Sequence, residues 1–335
     1  MKYPVFTFIL ISALLFACKK NDRFAVNTDD ININMHFIRF DQELGKEDTV
    51  YTKVKIDSLQ ARYSGFFQLY TSRVIKIGVP GEKNFELYFN RYITDTVYCQ
   101  VYDSVEQRFS TTQLYDNVIR NGFKRYHFFF PEQNIPDIYY MISGFNESVV
   151  VSDNILAISL EDYLGINHSF YKWLSIYEYI RNNMYPDKIP SDALWAWLQS
   201  EYPYQSTEQT LLSRMIYDGK ILFVLKQLLP DEPTQRILGY TQQQLQWCKL
   251  NEKAMWSYII ENKHLFSKDL LTIKKYTDPA PFTQYFGNES APRAGAFIGY
   301  QIVTAFMENN KDISLSGLLN LTDSQDILGK SGFRP

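Results

Sequence analysis

The chain has 335 residues, enough for one large domain or two small ones, and a formal net charge of −3. No run of Lys or Arg exceeds two residues, so the basic face that a nucleic-acid binder needs to displace counterions is missing, and that class is set aside. The 25 Tyr and 24 Phe leave a glycan-binding surface open as an alternative, although most of them fall at helical spacing and read as packing.

The first element is an apolar run. Lys2 gives a positive start, and Pro4 to Ala17 is interrupted only by Thr7 and Ser12. It is shorter than the roughly 20 residues that cross a bilayer and fits a signal peptide. It closes on Leu15-Phe16-Ala17-Cys18, the pattern of a bacterial lipobox. Residues 1–17 are therefore expected to be cleaved and Cys18 to carry lipid. Each buried methylene contributes about 0.8 kcal/mol, so the two or three chains of a lipoprotein suffice to anchor it. The alternative is an ordinary secretory signal with an incidental cysteine. Lys19, Lys20 and Asn21 put no acidic residue beside the anchor, which points to the periplasmic face of the outer membrane. The polar stretch to Asn34 reads as a tether, leaving residues 35–335 as the body.

Met35 to Phe40 alternates and reads as a strand. Helices are expected over Asp57–Ile77, Asp95–Phe109 and Thr111–Arg125, until Pro131 and Pro136 break the pattern. The period then changes. IYYMISG, ESVVVSD and NILAISL read as three short strands joined by tight turns in one sheet. Helix returns with HSFYKWLSIYEYIRNNM as one element stopped by Pro186. Ser191–Glu201 follows, with Ser191 as N-cap. Thr207–Leu229, a helix opened by Thr241, a loop over Tyr276–Pro292, a buried helix over Arg293–Met307 and two short helices within Ser314–Leu328 complete the chain. The fold class is α+β, predominantly helical with a small central antiparallel or mixed sheet. It forms one domain, or two lobes split near residue 165.

The chemistry is sparse. His36, His127, His168 and His264 are never three or four residues apart, so no zinc helix of the HExxH type exists. There is no G-x-S-x-G elbow, P-loop or dinucleotide fingerprint. No cofactor is implied. Cys99 and Cys248 lie in helical apolar patterns and are expected to be buried free thiols rather than a disulfide. The adjacent Glu161 and Asp162 read as favourable charge at a helix start. Asp218, Lys220 and Arg293 are the candidate cleft residues, drawn from MIYDGKILF and SAPRAGAFIGYQIV. The competing reading, which is preferred, is that Gly219, Gly295 and Gly299 permit a tight helix crossing while the charges cap or pair.

Several stretches, in order behind the lipobox, resemble the gliding-motility lipoprotein GldB family of Bacteroidetes. They are LEDYLG with a Tyr-rich segment after it, MIYDGKILFVLKQLLPD, YTQQQLQWCKLNEKAMWSYI, PRAGAFIGYQIVTAFM and the closing LTDSQDILGKSGFRP. The resemblance covers about Ile33 to Pro335. It implies a membrane-anchored, non-enzymatic lipoprotein associated with gliding motility and with type IX secretion at the cell envelope, whose partners are the lipid membrane and other envelope proteins of that machinery. The family also looks distantly like zincin metallopeptidases. In that comparison DGKILF corresponds to the second helix and SDALWAWLQSE to the zinc helix, where this chain offers Trp195 and Trp197 and no histidine. The alternatives are an envelope hydrolase with an unconventional site and a glycan-binding lipoprotein. The scaffold reading predicts apolar or aromatic surface patches and a blocked cleft; the hydrolase reading predicts an open cleft with converging His and carboxylate groups.

Overall fold

The computed structural model describes residues 23–45 and 50–335, so the expected leader and Cys18 lie outside the described residues. The first described segment is not a free tether. Phe24 is buried, with its ring edge-on to Phe129 and Phe223, each 6.0 Å away. Arg125 donates to the carbonyls of Phe24 (2.6 Å) and Val26 (3.3 Å), and Lys124 to that of Thr28 (2.9 Å). The expected tether to Asn34 is thus corrected: the chain is held on the body from Arg23 onward, because one buried aromatic residue and a buried guanidinium outweigh the polar composition around them.

Strand β1 (Phe37–Arg39) runs into α1 (Phe40–Leu44). Helix α2 (Lys53–Leu69) widens into one π-turn over Tyr70–Val74. Next come α3 (Phe85–Ile93), α4 (Thr96–Arg108) and α5 (Gln113–Phe129). Strands β2 (Asp137–Met141), β3 (Val149–Ser152) and β4 (Ile155–Ser159) complete a mixed sheet in the order β1-β2-β4-β3. β1 and β4 are both parallel to β2, and only β3 and β4 form the expected antiparallel hairpin. β2 and β3 are therefore not paired neighbours. The residues between them make a wide turn around a buried carboxylate instead of a hairpin.

A 3₁₀ turn at Leu160–Tyr163 leads to α6 (Ser169–Trp173) and α7 (Glu178–Arg181). The single helix expected over residues 168–184 is thus two one-turn pieces, separated where Ser175 takes a left-handed φ of 56°. Helix α8 (Ile189–Glu201) begins two residues before Ser191. Pro190 sits in its first turn, where a missing N–H costs nothing. Ser191 is not the N-cap; its hydroxyl donates back to the Lys188 carbonyl at 3.0 Å.

Helix α9 (Leu211–Leu228) starts at a capping box of Thr210 and Ser213, and α10 (Thr234–Leu238) is short. Helix α11 (Gln242–Glu261) opens on Thr241 as expected, with Gln244 closing the box. Then follow α12 (Leu270–Thr277), α13 (Ala294–Asn309), α14 (Leu315–Asn320) and α15 (Ser324–Ser331). Buried apolar side chains from Phe24 to Ile327 form one contiguous core. Among the described residues, no helix is long and apolar enough to cross a membrane.

Candidate functional site

The candidate cleft residues sit on two helices that touch backbone to backbone. A Cβ placed on Gly299 of α13 would lie 2.5 Å from the Met215 carbonyl carbon of α9, and closer still to its oxygen. A Cβ on Gly219 would likewise strike the Gly299 carbonyl. No space for a ligand remains at that crossing.

The three charges do not converge. Asp218 and Arg293 lie on one side, where Asp218 feels both Arg214 and Arg293; burial nevertheless lifts its carboxyl above the usual range. Arg214 Nε is 3.3 Å from Asp218 Oδ1, and the guanidinium lies over the rings of Tyr204 (5.2 Å) and Tyr217 (5.5 Å). Lys220 is two residues on, hence about 200° around the helix. Its Nζ donates to the carbonyls of Leu319 (3.1 Å) and Leu321 (2.6 Å), finishing α14, and burial pushes the ammonium down to about 8. Arg293 caps α13 at a left-handed φ of 51° and lines a cavity of about 150 Å³ with Lys188, Asp192 and Trp195.

That cavity is where the zincin comparison would place a metal. At the i, i+4 spacing α8 offers Ser191 and Trp195, and the buried Lys188 ammonium donates to Ser191 Oγ (3.1 Å) and Asp192 Oδ1 (2.7 Å). Tyr163 also donates to Asp192, at 3.2 Å. An indole and a hydroxyl bonded to an ammonium are not zinc ligands, so these residues do not fit the ion. Among the described residues no three His, Cys, Asp or Glu are grouped to hold one. The histidines are dispersed: His36 pairs with Asp137 and His264 with Tyr276, both at 2.9 Å. An open groove of about 700 Å³ lies beside α12, with Arg214, Lys274 and Asp278 on its walls. It contains no nucleophile and base at hydrogen-bond distance.

Glu161 and Asp162 are more than charge at a helix start. Glu161 Oε1 accepts from Ser143 N (2.6 Å), Ser143 Oγ (2.8 Å) and Phe145 N (3.1 Å) and so shapes the turn from β2 to β3. Its Oε2 is buried without a hydrogen-bond partner. Burial and neighbouring Asp162 raise Glu161 to about 7, and burial raises Asp162 to about 6. Cys99 is a half-buried free thiol and Cys248 a fully buried one; burial pushes Cys248 up to about 12.

The family model described as gliding motility protein GldB matches residues 21–335. The chain belongs to the GldB family. No curated protein and no solved structure matches it. GldB-family membership gives the chain a gliding-motility lipoprotein role and places it with the cell envelope.

With the helix crossing closed, the most unusual feature of this GldB-family chain is on its surface. The segment from Ile166 to Ile180 exposes Ile166, Trp173, Leu174, Tyr177 and Ile180, with Trp173 and Tyr177 exposed by 66% and 68%. Tyr177 stacks on Tyr179 at 5.7 Å. The segment is held from below by Tyr171, which is fully buried and whose hydroxyl bonds Leu164 N and Glu161 O, both at 2.8 Å. A buried, hydrogen-bonded Tyr171 thus underlies the solvent-facing aromatics. The sequence carried a sign of this: eight of the eleven positions from Phe170 to Ile180 are apolar or aromatic, more than one helix face can bury.

Proposed function

We propose that this chain is a non-enzymatic docking lipoprotein of the gliding-motility envelope machinery, tied to the periplasmic face of the outer membrane through acylated Cys18. On this reading it presents the Ile166–Ile180 surface to another envelope protein of the motility or secretion apparatus. The exposed Trp173–Tyr177 cluster carries the reading. Soluble proteins rarely display clustered large apolar side chains without a partner, and Trp and Tyr are the residue types that concentrate binding energy. The closed α9–α13 crossing and the α8 cavity, whose wall carries the Lys188 ammonium paired with Asp192, favour it over a hydrolase.

The test is a Trp173→Ala, Tyr177→Ala double variant. Both side chains face solvent, so the melting temperature should stay within about 2 °C of wild type. The complex extracted from envelopes in mild detergent should shrink to the uncomplexed chain. An unchanged complex would remove the cluster from the interface.

A second reading is a glycan platform, favoured by the Tyr177–Tyr179 stack. The aliphatic neighbours Ile166, Leu174 and Ile180 argue for a protein surface instead, since a sugar face needs polar groups beside the ring. Saturable binding of cell-wall glycan fragments, abolished in the double variant, would reverse that preference.

A further inference from the structure

The docked N-terminus has a geometric consequence if Cys18 is acylated, the reading on which this inference rests. Four residues lie between Cys18 and Arg23, five steps along the chain and a span of about 18 Å at full extension. The headgroup layer itself takes up about 6 Å of that. Arg23 is fastened to the body: Nη1 donates to the carbonyls of Asn310 (3.4 Å) and Lys311, and the guanidinium lies 4.5 Å over the Phe24 ring. Arg125, only 6% exposed, then grips Phe24 and Val26 and also donates to the Gln227 carbonyl at 2.7 Å. The reach from the anchor is therefore counted to Arg23, and the face around it cannot leave the bilayer by more than about one helix diameter.

That face carries an exposed aromatic residue. Phe128 at the end of α5 is 57% exposed and packs edge-on against Phe129 at 5.2 Å, and Phe129 in turn touches Phe24. Lys311 is exposed nearby, but so are Glu308 and Asp312, so net charge does not drive the contact. Apolar insertion does: a Phe at the headgroup boundary keeps its ring out of water, as interfacial aromatics do. The Trp173–Tyr177 surface lies elsewhere. His168, at its root, lines a cavity with Arg108 at the end of α4, and the neighbouring Phe109 meets Tyr115 in the first turn of α5. Phe24 docks against the last turns of that helix, whose 17 residues span about 25 Å.

We infer that the surface of Phe128, Arg23 and the α13 end is apposed to the lipid bilayer, with the Phe128 ring in the headgroup layer, so that the anchor fixes the orientation of the body and the aromatic docking surface is held toward the periplasm. The occupant of the Phe128 face is lipid.

The test uses the lipidated full-length chain on vesicles of phosphatidylethanolamine and phosphatidylglycerol, in a Cys99→Ser background. A fluorophore is attached at Phe128→Cys or, separately, at Tyr177→Cys, and quenched by nitroxide-bearing lipid. At least twofold quenching at 128 and none at 177 is expected. Equal quenching at both sites, or none at 128 on vesicles that carry the protein through a flotation gradient, overturns the orientation and leaves the anchor standing. Failure to float, with Cys18→Ala behaving identically, overturns the anchor and this inference with it. Ten Gly and Ser residues inserted after Asn21 should abolish quenching at 128 while flotation persists. Undiminished quenching in that variant would show that tether length does not set the face.

Discussion

Gly299→Ala isolates the contact that closes the α9–α13 crossing. Helix propensity alone predicts a gain of about 1 kcal/mol for this change. The structure predicts the opposite sign. The new methyl carbon would lie 2.5 Å from the Met215 carbonyl carbon and 3.1 Å from its Cα. Carbon pairs prefer about 3.5–4.0 Å, so the helices must part by about 1 Å, and a gap of that size forfeits a quarter to a half of the dispersion energy of each facing pair. The opposing atoms are backbone and cannot swing aside, which places the cost near the top of the 1–3 kcal/mol range for overpacking. Subtracting the propensity gain leaves a loss of about 2 kcal/mol, or about 3 °C in melting temperature for a body of about 300 residues. Gly329 is the matched control. It lies in α15 with nothing within 4 Å of the place an alanine methyl would take, so Gly329→Ala should gain up to about 1 kcal/mol. Urea unfolding of the two variants beside wild type measures both. A Gly299→Ala protein as stable as wild type, or more so, would refute the close-packed crossing.

The buried Glu161 makes stability depend on pH. Its folded-state value of about 7 lies above the ordinary 4.5, so stability is fully present below about pH 4.5 and is lost as pH rises through 7. Asp162, at about 6, acts in the same direction. The Glu161 share is at most about 3 kcal/mol, and Glu161→Gln should flatten the fall in urea midpoint between pH 5 and pH 8; an equally steep fall in the variant would discard the assignment. Cys248 should resist alkylation at pH 8 until the body unfolds, being fully buried with its thiol pushed up to about 12, whereas half-buried Cys99 should react first. Mass spectrometry of a timed alkylation reads both sites, and equal rates would contradict the packing around α11.

What could be read from the sequence was local. The Thr241 helix start is a capping box of neighbours, and the α9 start failed by only a few residues because Thr207 and Thr210 are both plausible caps until Ser213 is seen to reciprocate. The small sheet was legible, but its mixed character was left open against an antiparallel one and its pairing was hidden, since β2 skips β3 to join β4 and the turn between them wraps a carboxylate 18 residues away from Ser143. The break at Ser175 was hidden by apolar density that mimics a buried helix. Asp218 and Lys220 could have been separated from spacing alone, because residues two apart on a helix face nearly opposite ways. Phe24 gave no signal in its polar surroundings; the rings of Phe129 and Phe223 and the Arg125 clamp that hold it come from distant parts of the chain.

The most direct measurement is photocrosslinking in living cells, with a photoreactive amino acid at Trp173 and, separately, at Leu250, an isolated α11 side chain that is 77% exposed. Position 173 should yield one reproducible adduct with an envelope protein, and position 250 none. Adducts equal in pattern at both positions, or none at 173, would contradict a docking role for this surface.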